Sequence, residues 1–496
     1  MASFYIIGDS RMNDLTITLD PASSTPLYEQ IYLFIKKEIQ TGDLPFGKKL
    51  PSTRNLASYL QISRTTADMA YSQLVSEGYI EARPYRGYFV CELEGLYNLN
   101  SQKTGHTLLA EDEEEEFPYD FSPSGVDLNS FPHNAWRKLS RNILMTDNKK
   151  FFQLGDPQGE YELRSTIAEY LHQARGVSAA PEQIVVGAGN DFLLMLLCNM
   201  LGTGKKFAME SPTYRKAYDL FCNLSNEVRI VGMDDSGMCI DSLEVSGADI
   251  AYVMPSHQFP LGVVMPVRRR MQLLEWAAAS EHRFIIEDDY DSEFRYRGKP
   301  IPALQGFDRN GKVIYIGTFS KSIAPAIRVS YLVLPEKLME LYHSRGRMIS
   351  STISRVDQLL ISDFLNQGYY ERHLNKMRAI YKSRHDVLLE ELKGFQDICR
   401  ISGENAGVHI LLTFCNGMTE QEAIARAAKE GVKVYGLSGY YVGNDETRDD
   451  AGDNTEDNTE VPHDTARKSL TVILGYANVE EPAIREAAKR LKKAWK

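Results

Sequence analysis

"GTFSKSIAPAIRVSYLVLP", Gly317–Pro335, places one lysine, Lys321, among small and hydroxylated residues, with Arg328 seven positions on. The preceding "KVIYI", Lys312–Ile316, is β-branched and aromatic and reads as a buried strand, while "VSYLVLP" reads as a second strand closed by Pro335. A lysine between two such strands is either a surface loop residue or a working amine whose pKa its surroundings lower. Outward from that loop, "QIVVGAG", "KKFAMESP", "DIAYVMPS" and "HRFIIEDDY" repeat the pattern of short apolar strands separated by helical segments. This predicts an α/β domain with a parallel or mixed sheet, its large part at about 150–350. From about Ser350 the chain turns helical and closes in a smaller α+β portion, 351–496, containing "GVHILLTF" and "SLTVILGYA". Within it, 444–460, "NDETRDDAGDNTEDNTE", has almost no apolar residues and predicts a flexible surface insertion.

The chain has 496 residues, too many for one core. Its 43% apolar and 25% charged content is that of a soluble globular protein, and a net charge of −11 excludes one large nucleic-acid-coating surface. Cys91, Cys198, Cys222, Cys239, Cys399 and Cys415 show no CxxC pair or metal spacing and read as reduced cysteines. The N-terminus has no signal-peptide pattern, and "FLLMLLCNML" is too short to cross a bilayer, so the expectation is a cytoplasmic protein without a membrane partner. No metal site is expected.

Composition also separates an N-terminal unit, 20–91, from the rest. The stretch 92–118, with its acidic run Glu111–Glu116, predicts a flexible linker. In the unit, Leu27, Ile31, Phe34, Ile35 and Ile39 recur at helical spacing and stop at Gly42. Ser52 and Ser63 are placed to cap two further helices. The second of these aligns Ala67, Ala70, Tyr71, Leu74 and Val75 on one face, and "GYIEARPYRGYFV" reads as a hairpin around Arg83–Gly87. This is a winged helix-turn-helix plan.

The stretches "GDLPFGKKLPSTRNLA", "SRTTADMAYSQLVSEGYI" and "RGYFV" resemble the GntR class of bacterial DNA-binding domains. That resemblance implies a double-stranded DNA operator contacted by Arg54, Ser63, Arg64, Thr65 and Thr66, with Lys48, Arg83 and Arg86 near phosphates. An arginine at a helix start can pair bidentately with guanine, whereas hydroxyls and backbone N–H groups hold phosphates. Read as charges alone, the same unit is a helical subdomain that binds protein.

"LGDPQGEYELRSTIAEYL", "GAGND", "ESPTY", "PSHQFPLG", "EDDYDSEFRY" and "GTFSKSIAPAIR" resemble fold-type I, pyridoxal-phosphate-dependent aminotransferases over most of 119–496. The joined arrangement resembles the MocR subfamily of GntR regulators. The resemblance implies that Lys321 is the catalytic lysine of the internal aldimine, its pKa lowered by Arg328 and partial desolvation. It implies that Asp288 holds the pyridine nitrogen, that Tyr290, two residues on and on the same strand face, bonds the ring oxygen, and that Tyr214 stacks on the ring. Gly187, Ala188 and Gly189 at a helix N-terminus, with Thr318, Ser320 and Arg328, form the implied phosphate cup. Taken singly, "GAGND" is an ordinary strand-to-helix turn, "EDDYDSEF" also suits an acidic loop or a metal site, and His257 reads as a loop residue rather than a ligand.

One position departs from the family. Aminotransferases of this fold carry a carboxylate-binding arginine where "SLTVILGYA" has Ile473, and an apolar side chain cannot form that bidentate pair. Arg215 and Arg467 are the substitutes in view. The implied protein is a homodimeric, PLP-dependent transcriptional regulator sensing PLP itself or an amine or amino-acid effector. The alternative is an active aminotransferase with an accessory DNA-binding domain.

Overall fold

The computed structural model describes residues 17–92 except 22, 117–296 except 146–148, 301–443 except 405, and 470–496. Arg467, the insertion expected at 444–460 and nearly all of the linker expected at 92–118 lie outside these residues. The chain divides into two compact units on either side of the Glu114–Glu115 bond.

In the first unit, α1 (Leu27–Thr41) buries Ile31, Ile35 and Ile39 and ends where Gly42 takes a left-handed conformation, φ 87°. Helices α2 (Thr53–Leu60) and α3 (Arg64–Ser76) start at Ser52 and Ser63, whose hydroxyls accept from the Asn55 and Thr66 N–H groups. The antiparallel pair β1 (Ile80–Arg83) and β2 (Gly87–Val90) forms the wing. Ala67, Ala70, Tyr71 and Leu74 of α3 are buried against α1 and α2, and the Tyr71 hydroxyl donates to the Pro51 carbonyl at 3.0 Å. Val75 does not join them: at one position past Leu74 it has rotated off the stripe and is exposed.

The second unit is built on a seven-stranded sheet. Its order is Ile184–Gly187, Ser330–Val333, Val313–Thr318, Phe284–Asp289, Ile250–Val253, Lys206–Met209, Glu227–Ile230. All run parallel except Ser330–Val333, which is antiparallel to both neighbours. The loop 319–329 is too short for a helical crossover, so the chain turns straight back, carrying Lys321 on the bend. Thr318 pairs with Ser330 and Ser330 with Gly187, so these residues and Asp289 share the carboxyl edge of the sheet. Ligand sites of open α/β sheets form at that edge.

A four-stranded antiparallel sheet makes up the small part: Cys399–Ser402, His409–Phe414, Thr471–Gly475, Tyr435–Gly436. Helices Tyr369–Leu392 and Glu481–Trp495 contribute Met377, Tyr381, Ile484, Leu491 and Trp495 to the core that includes Ile410, Leu412, Val472 and Leu474. No helix among the described residues is long and apolar enough to cross a membrane.

Candidate functional site

Lys321 sits partly buried on its loop, its Nζ donating to the Pro123 carbonyl at 3.2 Å. Burial pushes the amine down from 10.5 to about 8, and the Asp291 carboxylate opposes that shift. Arg328 is not the cause. Its guanidinium is half exposed and turned to Asp191 (3.2 Å) and the Ala188 carbonyl (3.3 Å), so desolvation alone lowers Lys321.

The strand Phe284–Asp289 is buried throughout, including its acidic end. Asp288 accepts from the Tyr252 hydroxyl at 2.5 Å and the Asn190 amide at 3.3 Å, and burial nevertheless raises it to about 7. Asp289 is held by Arg175 Nε at 2.8 Å and the Tyr315 hydroxyl at 2.6 Å. Tyr290 lies just past the strand, which ends at Asp289, rather than on its face, and its hydroxyl is 2.9 Å from His257 Nδ1. That nitrogen is also 2.9 Å from Asp291 Oδ2. The Phe259 ring packs edge-on against Tyr214, Tyr290, His409 and Tyr440.

On the opposite side, the helix Asn190–Leu201 begins at Gly189, with φ 89°. A Cβ there would stand 2.4 Å from Arg328 Nη2, the movable end of a half-exposed side chain, so it is the backbone at φ 89° that demands glycine. The Ala188 N–H donates to Thr352 Oγ1 (3.0 Å) and the Gly189 N–H to the Gly187 carbonyl (2.8 Å). Thr318 Oγ1 accepts from Ser330 Oγ (2.8 Å) and the Ser320 N–H (3.1 Å). Ser320 Oγ and Asn190 Oδ1 are buried without a hydrogen-bond partner among the described residues. Buried polar groups of this kind call for a partner.

Thus Gly187, Ala188, Gly189, Tyr214, Asp288, Tyr290, Thr318, Ser320, Lys321 and Arg328 all stand on loops and strand ends at the carboxyl edge. The charges of Asp191, Asp288 and Arg328 all act on the Tyr214 phenol, whose pKa burial raises. Arg215 instead pairs with Asp219 on an exposed helix face. Sequence reasoning set His257 aside as a loop residue and passed over Tyr252, Asn190, Asp291 and His409. Tyr252, Asn190, His257 and Asp291 lay within quoted motifs, but nothing in the strand "GVHILLTF" distinguished His409.

In the first unit, Arg54, Arg64, Thr65 and Arg86 are exposed. Arg64 makes a long 3.5 Å pair with Asp68, and Thr66 Oγ1 lies 2.8 Å from Ser63 Oγ. Lys48 is half-buried beside the wing strand, with the Val90 N–H donating to its carbonyl. Arg83 is engaged within the wing, bonded to Glu81 through Nε at 2.7 Å and stacked on Phe89 at 4.6 Å. Tyr85, which the sequence did not single out, is fully exposed at the wing tip with φ 58°.

Comparison with known proteins gives two family matches: "Bacterial regulatory proteins, gntR family" over residues 27–90, and "Aminotransferase class I and II" over residues 125–448. An uncharacterized HTH-type transcriptional regulator, YdeL of Bacillus subtilis, is 40% identical, covering 97% of this chain and 100% of the relative. The probable rhizopine catabolism regulatory protein MocR of Rhizobium meliloti is 30% identical, covering 97% and 96%. Among solved structures, a kynurenine aminotransferase of Pyrococcus horikoshii is similar with a TM-score of 0.64 at 26% identity, over 77% of this chain and 91% of that one.

Proposed function

This chain belongs to the MocR subfamily of GntR transcriptional regulators, and from that premise we propose that it binds an operator through α3 and reads a small-molecule signal in its aminotransferase-like unit. The cofactor is pyridoxal phosphate, which supplies an aldehyde for a primary amine and an electron-withdrawing ring. The residues present fit it. Lys321 offers an amine neutral enough to be nucleophilic, Asp288 a buried carboxyl for a ring nitrogen, and Ser320 Oγ and Asn190 Oδ1 unsatisfied polar atoms. Tyr214 would stack on the ring and Tyr290 bond its oxygen, while the Gly187–Gly189 turn at a helix N-terminus, Thr318 and Arg328 would hold the phosphate.

On the DNA side, Arg64 reads a base edge, while Ser63, Thr65, Thr66, Arg54, Lys48 and Arg86 set the register on phosphates. Arg83 serves by bracing the wing. The protein acts in the cytoplasm as a homodimer. Exposed Met145, Phe152, Leu154 and Met348 support the dimer. Large apolar side chains left exposed in this way are of the kind a second copy covers.

The observation that carries the regulator reading is a winged helix fused to a lysine site whose carboxylate-clamp position is a fully buried Ile473. The test is selection of full-length protein on randomised duplex DNA, with affinity then measured with and without pyridoxal phosphate. Enrichment of paired half-sites, with affinity that responds to the cofactor in the wild type and not in Lys321→Ala, is expected. Binding that never exceeds the non-specific level at physiological salt would refute the reading.

A further inference from the structure

We infer that the signal read in the aminotransferase-like unit is a primary amine without an α-carboxylate, selected by an apolar wall of Ile473, Leu411 and Leu437. This rests on the regulator reading above and narrows its effector. Ile473, Leu411 and Leu437 form one buried cluster, with Leu261, Tyr435 and Tyr440 packed against it. In the antiparallel ladder Leu411 pairs with Ile473 and His409 with Gly475, so the two pairs share one face of the small sheet. That face meets the lysine site. The His409 ring lies 5.5 Å from His257 and 5.4 Å from Phe259, and the Lys321 charge acts on it.

The His409 ring on this face repels a carboxylate. His409 Nε2 faces the Pro260 carbonyl at 2.8 Å, which can only accept, so Nε2 carries the proton and Nδ1 is a bare lone pair. Burial and the neighbouring His257 hold His409 down to about 4, so the ring stays neutral. His257 Nδ1 is 2.9 Å from the Asp291 carboxylate and 2.9 Å from the Tyr290 hydroxyl, so this ring is already engaged by the site. His409 Nδ1 is buried and lacks a partner among the described residues. A carboxylate on this face would meet the His409 lone pair and hydrocarbon, and burying it unpaired is costly. An amine without the carboxylate meets none of these penalties.

The test uses full-length protein carrying pyridoxal phosphate and freed of excess cofactor. It compares pairs that differ only in the carboxylate: 2-phenylethylamine with phenylalanine, and 3-methylbutylamine with leucine. Dissociation constants come from calorimetry and from the visible absorbance of the bound cofactor. Each amine is expected to bind tighter than its amino acid by about tenfold or more, since the amino acid must bury an unpaired charge. Ile473→Arg, and the milder Ile473→Gln, should narrow or invert that ratio. If both variants fail to fold, judged by melting, the wild-type ratio decides alone. Amino acids binding as well as their amines, or no binding by either member of both pairs, would overturn the inference. Cofactor-dependent operator affinity, measured on the same preparation, then shows separately whether the regulator reading stands.

Discussion

The reactivity of Lys321 in cofactor-free protein should titrate near pH 8 rather than near 10.5. With that pKa, roughly a tenth of the amine is neutral at pH 7, against roughly 3 in 10⁴ for a surface lysine, an advantage of about 300-fold in nucleophile. Only the neutral amine attacks an aldehyde, so the rate should climb about tenfold per pH unit and level off above pH 8. The assay adds pyridoxal phosphate at each pH, traps with borohydride after a short delay, and assigns the labelled peptide by mass. Asp291 supplies the charge that holds the amine up. Asp291→Asn should therefore move the plateau to lower pH without abolishing it. The same shift has a stability signature. The folded value lies below the unfolded one, so between pH 8 and 10.5 the unfolded chain binds the extra proton. Stability from this group therefore rises across that window. A midpoint that stays near 10.5, or an Asp291→Asn plateau displaced upward, would refute the argument from burial.

Asp288 gives the opposite slope in the cofactor-free protein. Its folded value of about 7 exceeds its ordinary 3.8, so the unfolded chain releases a proton between about pH 4 and 7 that the folded state keeps. The fold loses stability as pH rises through that range. Asp288→Asn should raise the apo Tm at pH 8 but not at pH 4, while weakening cofactor retention. Gly189→Val should fail to hold cofactor, because a β-branched residue is strained at φ 89°; normal loading, read as bound absorbance after gel filtration, would contradict this. Arg64→Ala should cost ~1–3 kcal/mol on the selected operator and little on random DNA, measured by fluorescence anisotropy. Equal losses on both would make Arg64 a phosphate contact. Ser63→Ala should lower the first unit's stability by about 1 kcal/mol through the lost cap of α3, read by denaturant melts.

Local physics made much of this legible from sequence. Ser52 and Ser63 announce helix starts because a hydroxyl three residues ahead of an N–H caps it wherever the helix goes. The runs around Val313–Thr318 and Ser330–Val333 announce buried strands because both faces are apolar, and the short bend between them fixes Lys321 at the sheet edge. The order of the motifs along the chain carried the two-part family plan. What the sequence could not carry depends on partners far apart in the chain. Tyr252 reaches Asp288 from the neighbouring strand, and His409 comes from the small sheet to meet His257 and Lys321. Only packing removes water from Lys321, and only the register that sets Leu411 against Ile473 turns an absent arginine into a continuous apolar wall. Arg328 was misjudged for the same reason: proximity along the chain suggested a charge acting on Lys321, while the folded backbone at φ 52° turns it to Asp191. Periodicity and capping act over one or two turns of chain and are written into the sequence, whereas desolvation and charge coupling depend on distances that only the tertiary structure sets.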